Sequence, residues 1–488
     1  MRALLTLGLL SGSARAAEPP AGRWVWGDLH AHSGWSFDGC EDAERLCAPR
    51  GAAPASDFFA NAADQELDFA ALTDHAEAGA WLAEGEGGAA RDVWQGQVDA
   101  VAAAQGGEVL PILGYEWTGR RADERRGHPR GSHRTVLLGG ADGACLEARV
   151  GGFALEGGAR LAPDEVALYT AAEVDPVEQV SDLWRALDEA AEACPGLRWI
   201  SFAHHSALVN PQVTDWNLKE NRPDRESLIE IASEHGSSEC LDVSSDGCGW
   251  WINEEQGYWP DGSVQAALAQ GFALGFVGGT DGHDARPGSL EDGPGSVAHL
   301  EDGEVRRQLT RGAITGVFLE GDTAGEGPPA LDALFDALDL RRTVVSTGPR
   351  PDLEVYALGD DGQIYLPGEA LPPSALPAAL HLDLGALEPG SALLAVSAIG
   401  PGGEILAESA ESPFRMTWDG RPGDALYLRL RLSRAEGDDE DRIWVSPWFV
   451  ERRCGCATGA PGASNAALAA GLLSALARRR RVSARSRR

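Results

Sequence analysis

His30 and His32, two residues apart in Gly27-Asp28-Leu29-His30-Ala31-His32-Ser33-Gly34, have types and spacing suited to chemistry. They follow Arg23-Trp24-Val25-Trp26, which reads as a short buried strand, and they precede a turn rich in Gly, Ser and Asp. Residues i and i+2 of a strand point to the same face, so both imidazoles can converge on one point. Asp38 follows within reach of a loop that folds back. Two imidazoles and a carboxylate suit a divalent transition metal such as Zn, Mn or Fe. An His-x-His pair also arises by chance, so the reading depends on what other strand ends supply.

Those strand ends supply more of the same. Short apolar runs alternate with longer Ala-rich stretches from Trp24 to about Phe276. Strands are expected over 24–29, 69–73, 109–115, 135–138, 199–203, 228–232 and 272–278. Helices are expected over 57–65, 91–105, 176–194 and 264–270. Repeated strand–helix alternation argues for an α/β fold with helices outside a parallel sheet or barrel. At the strand ends stand Thr73-Asp74-His75, Tyr115-Glu116-Trp117, His133, His204-His205 and Thr280-Asp281-Gly282-His283. Active sites of parallel barrels lie at that end. His128, His235, His299 and His381 lack such a context and read as ordinary surface or core residues.

Taken in order, Gly-Asp-Leu-His-x-His-Ser, Thr-Asp-His, Glu-Trp-Thr, His-Arg, His-His and Thr-Asp-x-His resemble the PHP (polymerase and histidinol phosphatase) superfamily. The nearest branch comprises bacterial proteins with a domain of unknown function, related to metallohydrolases that cleave the carbamate carbaryl. The resemblance spans about residues 24–320. It extends through Arg342-Thr343, Ser346-Thr347-Gly348 and Trp444-Val445-Ser446-Pro447-Trp448. It implies a distorted seven-stranded (β/α) barrel. It also implies three divalent metals (Zn, Mn or Fe) on His30, His32, Asp38, His75, Glu116, His133, His204, Asp281 and His283. Asp38 stands where some members have His, and His205 where relatives often have Asn.

Close metals supply a bridging hydroxide at neutral pH and stabilise developing negative charge. The expected activity is therefore hydrolysis of a small-molecule ester, foremost a phosphoester, with His205, Asp38 and His283 nearest the reacting atoms. A carboxylester or carbamate hydrolase is the alternative. A non-catalytic, metal-stabilised surface protein is the alternative of a different class. Phosphate substrates usually want cations. Arg134 and the group Arg120, Arg121, Arg125 and Arg126 are candidates, although strand alternation turns Arg134 away from whatever His133 faces. No GxSxG elbow, P-loop or dinucleotide fingerprint is found.

The chain has 488 residues, with 41 basic against 75 acidic and a formal net charge of -34. That excess disfavours nucleic acid as a partner, because phosphate binding needs a basic face. Residues 1–16 read as a secretory signal, with Arg2, an apolar run and Ala14-Arg15-Ala16. After Cys454-Gly455-Cys456 come a Gly/Ala/Pro/Ser linker, an apolar stretch over 466–477 and Arg478-Arg479-Arg480-Arg481. That tail, 454–488, resembles C-terminal sorting signals of myxobacterial surface proteins, which implies display at a membrane or cell surface. Two of the eight Cys lie in that tail; the other six, Cys40, Cys47, Cys145, Cys194, Cys240 and Cys248, then read as disulfides, their connectivity open beyond the closeness of Cys40 to Cys47 and of Cys240 to Cys248. The expected organisation is a hydrolase domain over 17–330, a connecting helix and strand over 331–350, and a small antiparallel β domain over 351–453.

Overall fold

In the computed structural model the described residues are, in the main, 19–33, 55–75, 90–118, 133–140, 180–208, 225–242, 258–288, 312–321 and 327–452. Ser36, Thr214 and Trp216 are also described. The expected signal at 1–16, the tail at 454–488, Asp38 and the group Arg120 to Arg126 lie outside the described residues. So do Cys40, Cys47, Cys145 and Cys248. No helix among the described residues is long and apolar enough to cross a membrane.

The elements of the first part are β1 (Gly22–Ala31), α1 (Ala55–Asp64), β2 (Phe69–Leu72), α2 (Ala90–Ala104), β3 (Leu110–Thr118), β4 (His133–Gly139), α3 (Val180–Ala193), β5 (Arg198–Ala203), β6 (Leu228–Ser233), β7 (Gly236–Ser237), α4 (Val264–Ala269) and β8 (Gly275–Gly278). Next come β9 (Ile314–Glu320), α5 (Leu331–Asp339) and β10 (Thr343–Ser346). The remainder is all strand and short turn: β11 (Leu353–Leu358), β12 (Ile364–Tyr365), β13 (Ala370–Leu371), β14 (Ala378–Leu384), β15 (Ala392–Ile399), β16 (Ile405–Ser409), β17 (Phe414–Trp418), β18 (Ala425–Ser433) and β19 (Glu440–Val450).

Local sequence accounts for these elements. In α3, Val180, Leu183, Trp184 and Leu187 recur at helical spacing and are all buried. Each contributes roughly 1.5–3 kcal/mol of transfer free energy. Ser263 caps α4, its hydroxyl accepting from the Ala266 N–H, which satisfies a donor the helix cannot. β2, β4, β6 and β8 are buried along their whole length, as strands covered on both faces are. β11 instead alternates buried and open positions.

The architecture corrects the expected (β/α) barrel. The described chain is dominated by strands, and fifteen of them form one mixed sheet. Its order is β16-β15-β18-β19-β10-β9-β1-β2-β3-β4-β5-β6-β7, with β13 on β19 and β8 on β6. β1, β2 and β3 are parallel, and so are β5, β6 and β8. Between these groups β4 runs antiparallel to both neighbours. On the other side of β1, β9 and β10 are antiparallel again. Periodicity reports which face of a run is apolar, not which strand lies beside it, so alternation with helices was read as parallel throughout.

The sheet also runs straight through the boundary expected at 331–350. β10 joins β9 to β19. One core cluster packs Trp26, Ile314 and Val344 with Val355, Leu380, Leu428 and Trp448. A second packs Ile229, Leu268 and Phe276 with Tyr427 and Trp444. The described residues up to Glu451 thus form one compact unit. The four-stranded sheet β12-β11-β14-β17 covers the first of these cores. Cys194 and Cys240 each take part in a disulfide.

Candidate metal centre

The ends of β1, β2, β3, β4, β5 and β8 meet in one buried cluster. β1 leads out through His30 and His32. Beyond β8, the Asp281 N–H donates to the His30 carbonyl at 2.7 Å, and the His32 N–H donates to Gly282 at 2.9 Å. This close apposition needs a residue without a side chain at 279, where a Cβ would run into the His30 backbone. Asp28 fixes the same junction from below. Its carboxylate accepts from the backbone N–H groups of His30, Thr280 and Gly288 and from the Thr280 hydroxyl. Asp74 accepts from the Ser33 N–H and hydroxyl and from Gln97.

His30, His32, Glu116 and Asp281 form the best-defined pocket. His30 Nε2 lies 3.3 Å from Glu116 Oε2, 3.3 Å from Asp281 Oδ1 and 3.3 Å from His32 Nε2. His32 Nε2 lies 3.3 Å from Glu116 Oε2 and 3.2 Å from Asp281 Oδ1. Four donors about 2.0–2.1 Å from one cation at tetrahedral angles are about 3.3–3.4 Å apart. These separations fit a zinc-sized ion. His30 Nδ1 sits 2.8 Å from Glu230 Oε2, where a carboxylate behind a metal-binding imidazole would fix its ring and tautomer.

The other Glu116 oxygen faces a second set. Oε1 pairs with His133 Nδ1 and lies 3.3 Å from His204 Nε2 and 3.4 Å from His75 Nδ1. Glu116, His133, His204 and His205 bring one ligand atom each to within 4.8 Å of the others, and so do His32, His75 and His283. The His32 and His283 rings stack at 4.1 Å. Of the nine residues implied as ligands, eight stand in this cluster, and Asp38 lies outside the described residues. His133 Nε2 and His204 Nδ1 are buried with no hydrogen-bond partner. Buried polar atoms normally have one, so these rings are suited to binding a cation.

The electrostatics of the metal-free chain show how much charge is gathered here. Burial opposes ionisation of Glu116, but His75, His204 and His133 outweigh it and hold its carboxyl well below the usual range. Burial likewise opposes a proton on His30, and Asp281 and Glu230 overcome it. Burial pushes the His204 imidazole down to about 3 and the Glu230 carboxyl up to about 7.

Sequence reasoning missed three residues that back the ligands. Glu230 supports His30. Glu234 Oε1 is 3.6 Å from His283 Nδ1, and His235 Nε2 is 3.2 Å from Asp281 Oδ2. His235, read from sequence as an ordinary histidine, is therefore a member of the site. The signal was present in Glu230-Ile231-Ala232-Ser233-Glu234-His235, an acid-rich strand end. Arg134 is fully buried and turned to Glu226, with Nε 2.6 Å from Oε1, as strand alternation requires.

Compared with known proteins, the chain matches no family model, no curated protein and no solved structure.

Proposed function

We propose that this chain is a metal-dependent hydrolase of the kind its PHP-like motifs imply, acting on a small-molecule ester. The observation that carries the reading is Glu116, buried to 1% exposure, which turns one oxygen to His30 and His32 and the other to His133 and His204. A carboxylate shared between two imidazole pockets is a device for holding cations side by side.

His30, His32, Glu116 and Asp281 would hold one cation, and Glu116, His133 and His204 a second. His75 and His283, beside His32, would hold a third. Zn, Mn or Fe, bound there, would activate water at neutral pH and neutralise charge that builds on the substrate. The chain's own residues do the rest. Glu230 orients His30, His235 steadies Asp281, and Asp28 and Asp74 lock the loops that carry the ligands. Burial removes competing water and strengthens each charge interaction.

A phosphoester is the first substrate class. A carboxylester or carbamate is the second, favoured by one observation: Arg134, the cation next to a ligand in sequence, is committed to Glu226 and not to the centre. Elemental analysis of the purified protein, with hydrolysis of p-nitrophenyl phosphates and esters before and after chelation, tests the proposal. Metal-dependent turnover of either class is expected. Full turnover after complete metal removal would sink it.

A further inference from the structure

We infer that His205 is the fourth ligand of the pocket formed by Glu116, His133 and His204, completing a site of three imidazoles and one carboxylate. The inference rests on the reading of this centre as a metal site. It differs from a role for His205 against the substrate.

Neighbouring residues of a strand point to opposite faces, so His205 would ordinarily point away from what His204 faces. It does not. β5 ends at Ala203, and His205 then takes a left-handed backbone with φ of +33°. A non-glycine residue rarely adopts that conformation, which costs of order 1–3 kcal/mol unless its surroundings enforce it. The surroundings here do so. The Leu208 N–H donates to the His205 carbonyl at 2.9 Å, the Ala207 N–H donates to the Ser238 hydroxyl, and the Thr214 N–H donates to Ser206.

The turn brings the His205 ring to 4.2 Å from the His204 ring and 4.8 Å from the His133 ring. His205 is 5% exposed, and its Nδ1 is buried with no hydrogen-bond partner among the described residues. A ligand atom of the His205 ring lies within 4.8 Å of those of Glu116, His133 and His204, and a bound cation would compensate the desolvation that such a buried ring otherwise bears. A pocket of three imidazoles selects zinc-class ions over Mg, Ca or Mn, which prefer oxygen. His205 thus sets which cation this pocket accepts, while the His30–His32–Glu116–Asp281 pocket keeps two carboxylates.

The experiment is zinc and manganese titration of the metal-free wild-type, His205→Ala and His205→Asn chains, followed by calorimetry and elemental analysis. In both variants one zinc site should weaken by on the order of 10²-fold or more, at least the loss seen when a ligand's supporting partner is removed. The remaining sites should keep their affinity, and the preference for zinc over manganese at the weakened site should shrink. Zinc stoichiometry and affinity equal to wild type in a folded variant would overturn the assignment, whatever the turnover. A wild-type chain that takes up no cation would overturn it together with the proposed function. Wild-type protein loaded with magnetically active cadmium and labelled in histidine nitrogen gives a readout that needs no variant. A His205 ring nitrogen coupled to the metal is expected, and an uncoupled one overturns the inference.

Discussion

Glu116 is the residue on which the centre is most exposed to change. Its two oxygens serve different pockets, so Glu116→Gln should strip or weaken cations in both, whereas Asp281→Asn should affect one. Elemental analysis of the two variants side by side checks this, and equal losses would contradict the sharing. The His204 imidazole gives a pH prediction for the metal-free chain. Burial lowers it to about 3, below the usual value of about 6.5. Between those values the unfolded chain binds the extra proton and the folded chain does not. The stability from this group is therefore whole above about pH 6.5 and is lost as pH falls toward 3. Ring resonances of His204 that stay neutral down to the acid transition are the expected NMR result. At this scale much of the centre was legible. His30, His32 and Asp281 are chemically competent types placed where apolar runs end, and sequence displays that directly. Glu230, Glu234 and His235 were not legible, because each matters only through the ligand ring or carboxylate it backs.

The hairpin of β6 and β7 is the element that carries those three supports. Glu230 lies on β6, and Glu234 and His235 form the turn. Between them they touch His30, His283 and Asp281. Glu230→Ala removes no ligand yet should lower metal affinity by about 10–100-fold, as loss of an outer partner does. Competition against a chelator dye measures this, and unchanged affinity would reduce Glu230 to a packing role. Element positions were readable from apolar runs and turn residues: α1, β2, β5 and β6 fall close to where the pattern put them. Directions were not. Nothing in His133–Gly139 announces that this strand runs antiparallel to both neighbours, because pairing is a contact between distant segments.

For the whole molecule, the two regions that composition seemed to separate are held together by buried Glu239. Its carboxylate accepts from Tyr427 and Trp444 and pairs with Arg429, itself 3% exposed. Glu239→Ala would leave that guanidinium buried and unpaired, at a cost of about 3–5 kcal/mol. A denaturant midpoint shifted accordingly in a single cooperative transition is the expected observation. Two separate transitions in the wild-type chain would contradict the continuous core. A chain cut after 330 should not fold alone, since β9 would lose β10 and the core would lose its far wall. The depth of the centre within this one unit has a further consequence. His30, His32, Glu116, His204 and Asp281 are each exposed by 2% or less, so an ion held among them would exchange slowly. On the proposed metal reading, timed release to a chelator dye should therefore be slow from the folded chain and faster in sub-denaturing urea, and release equally fast in both would contradict it.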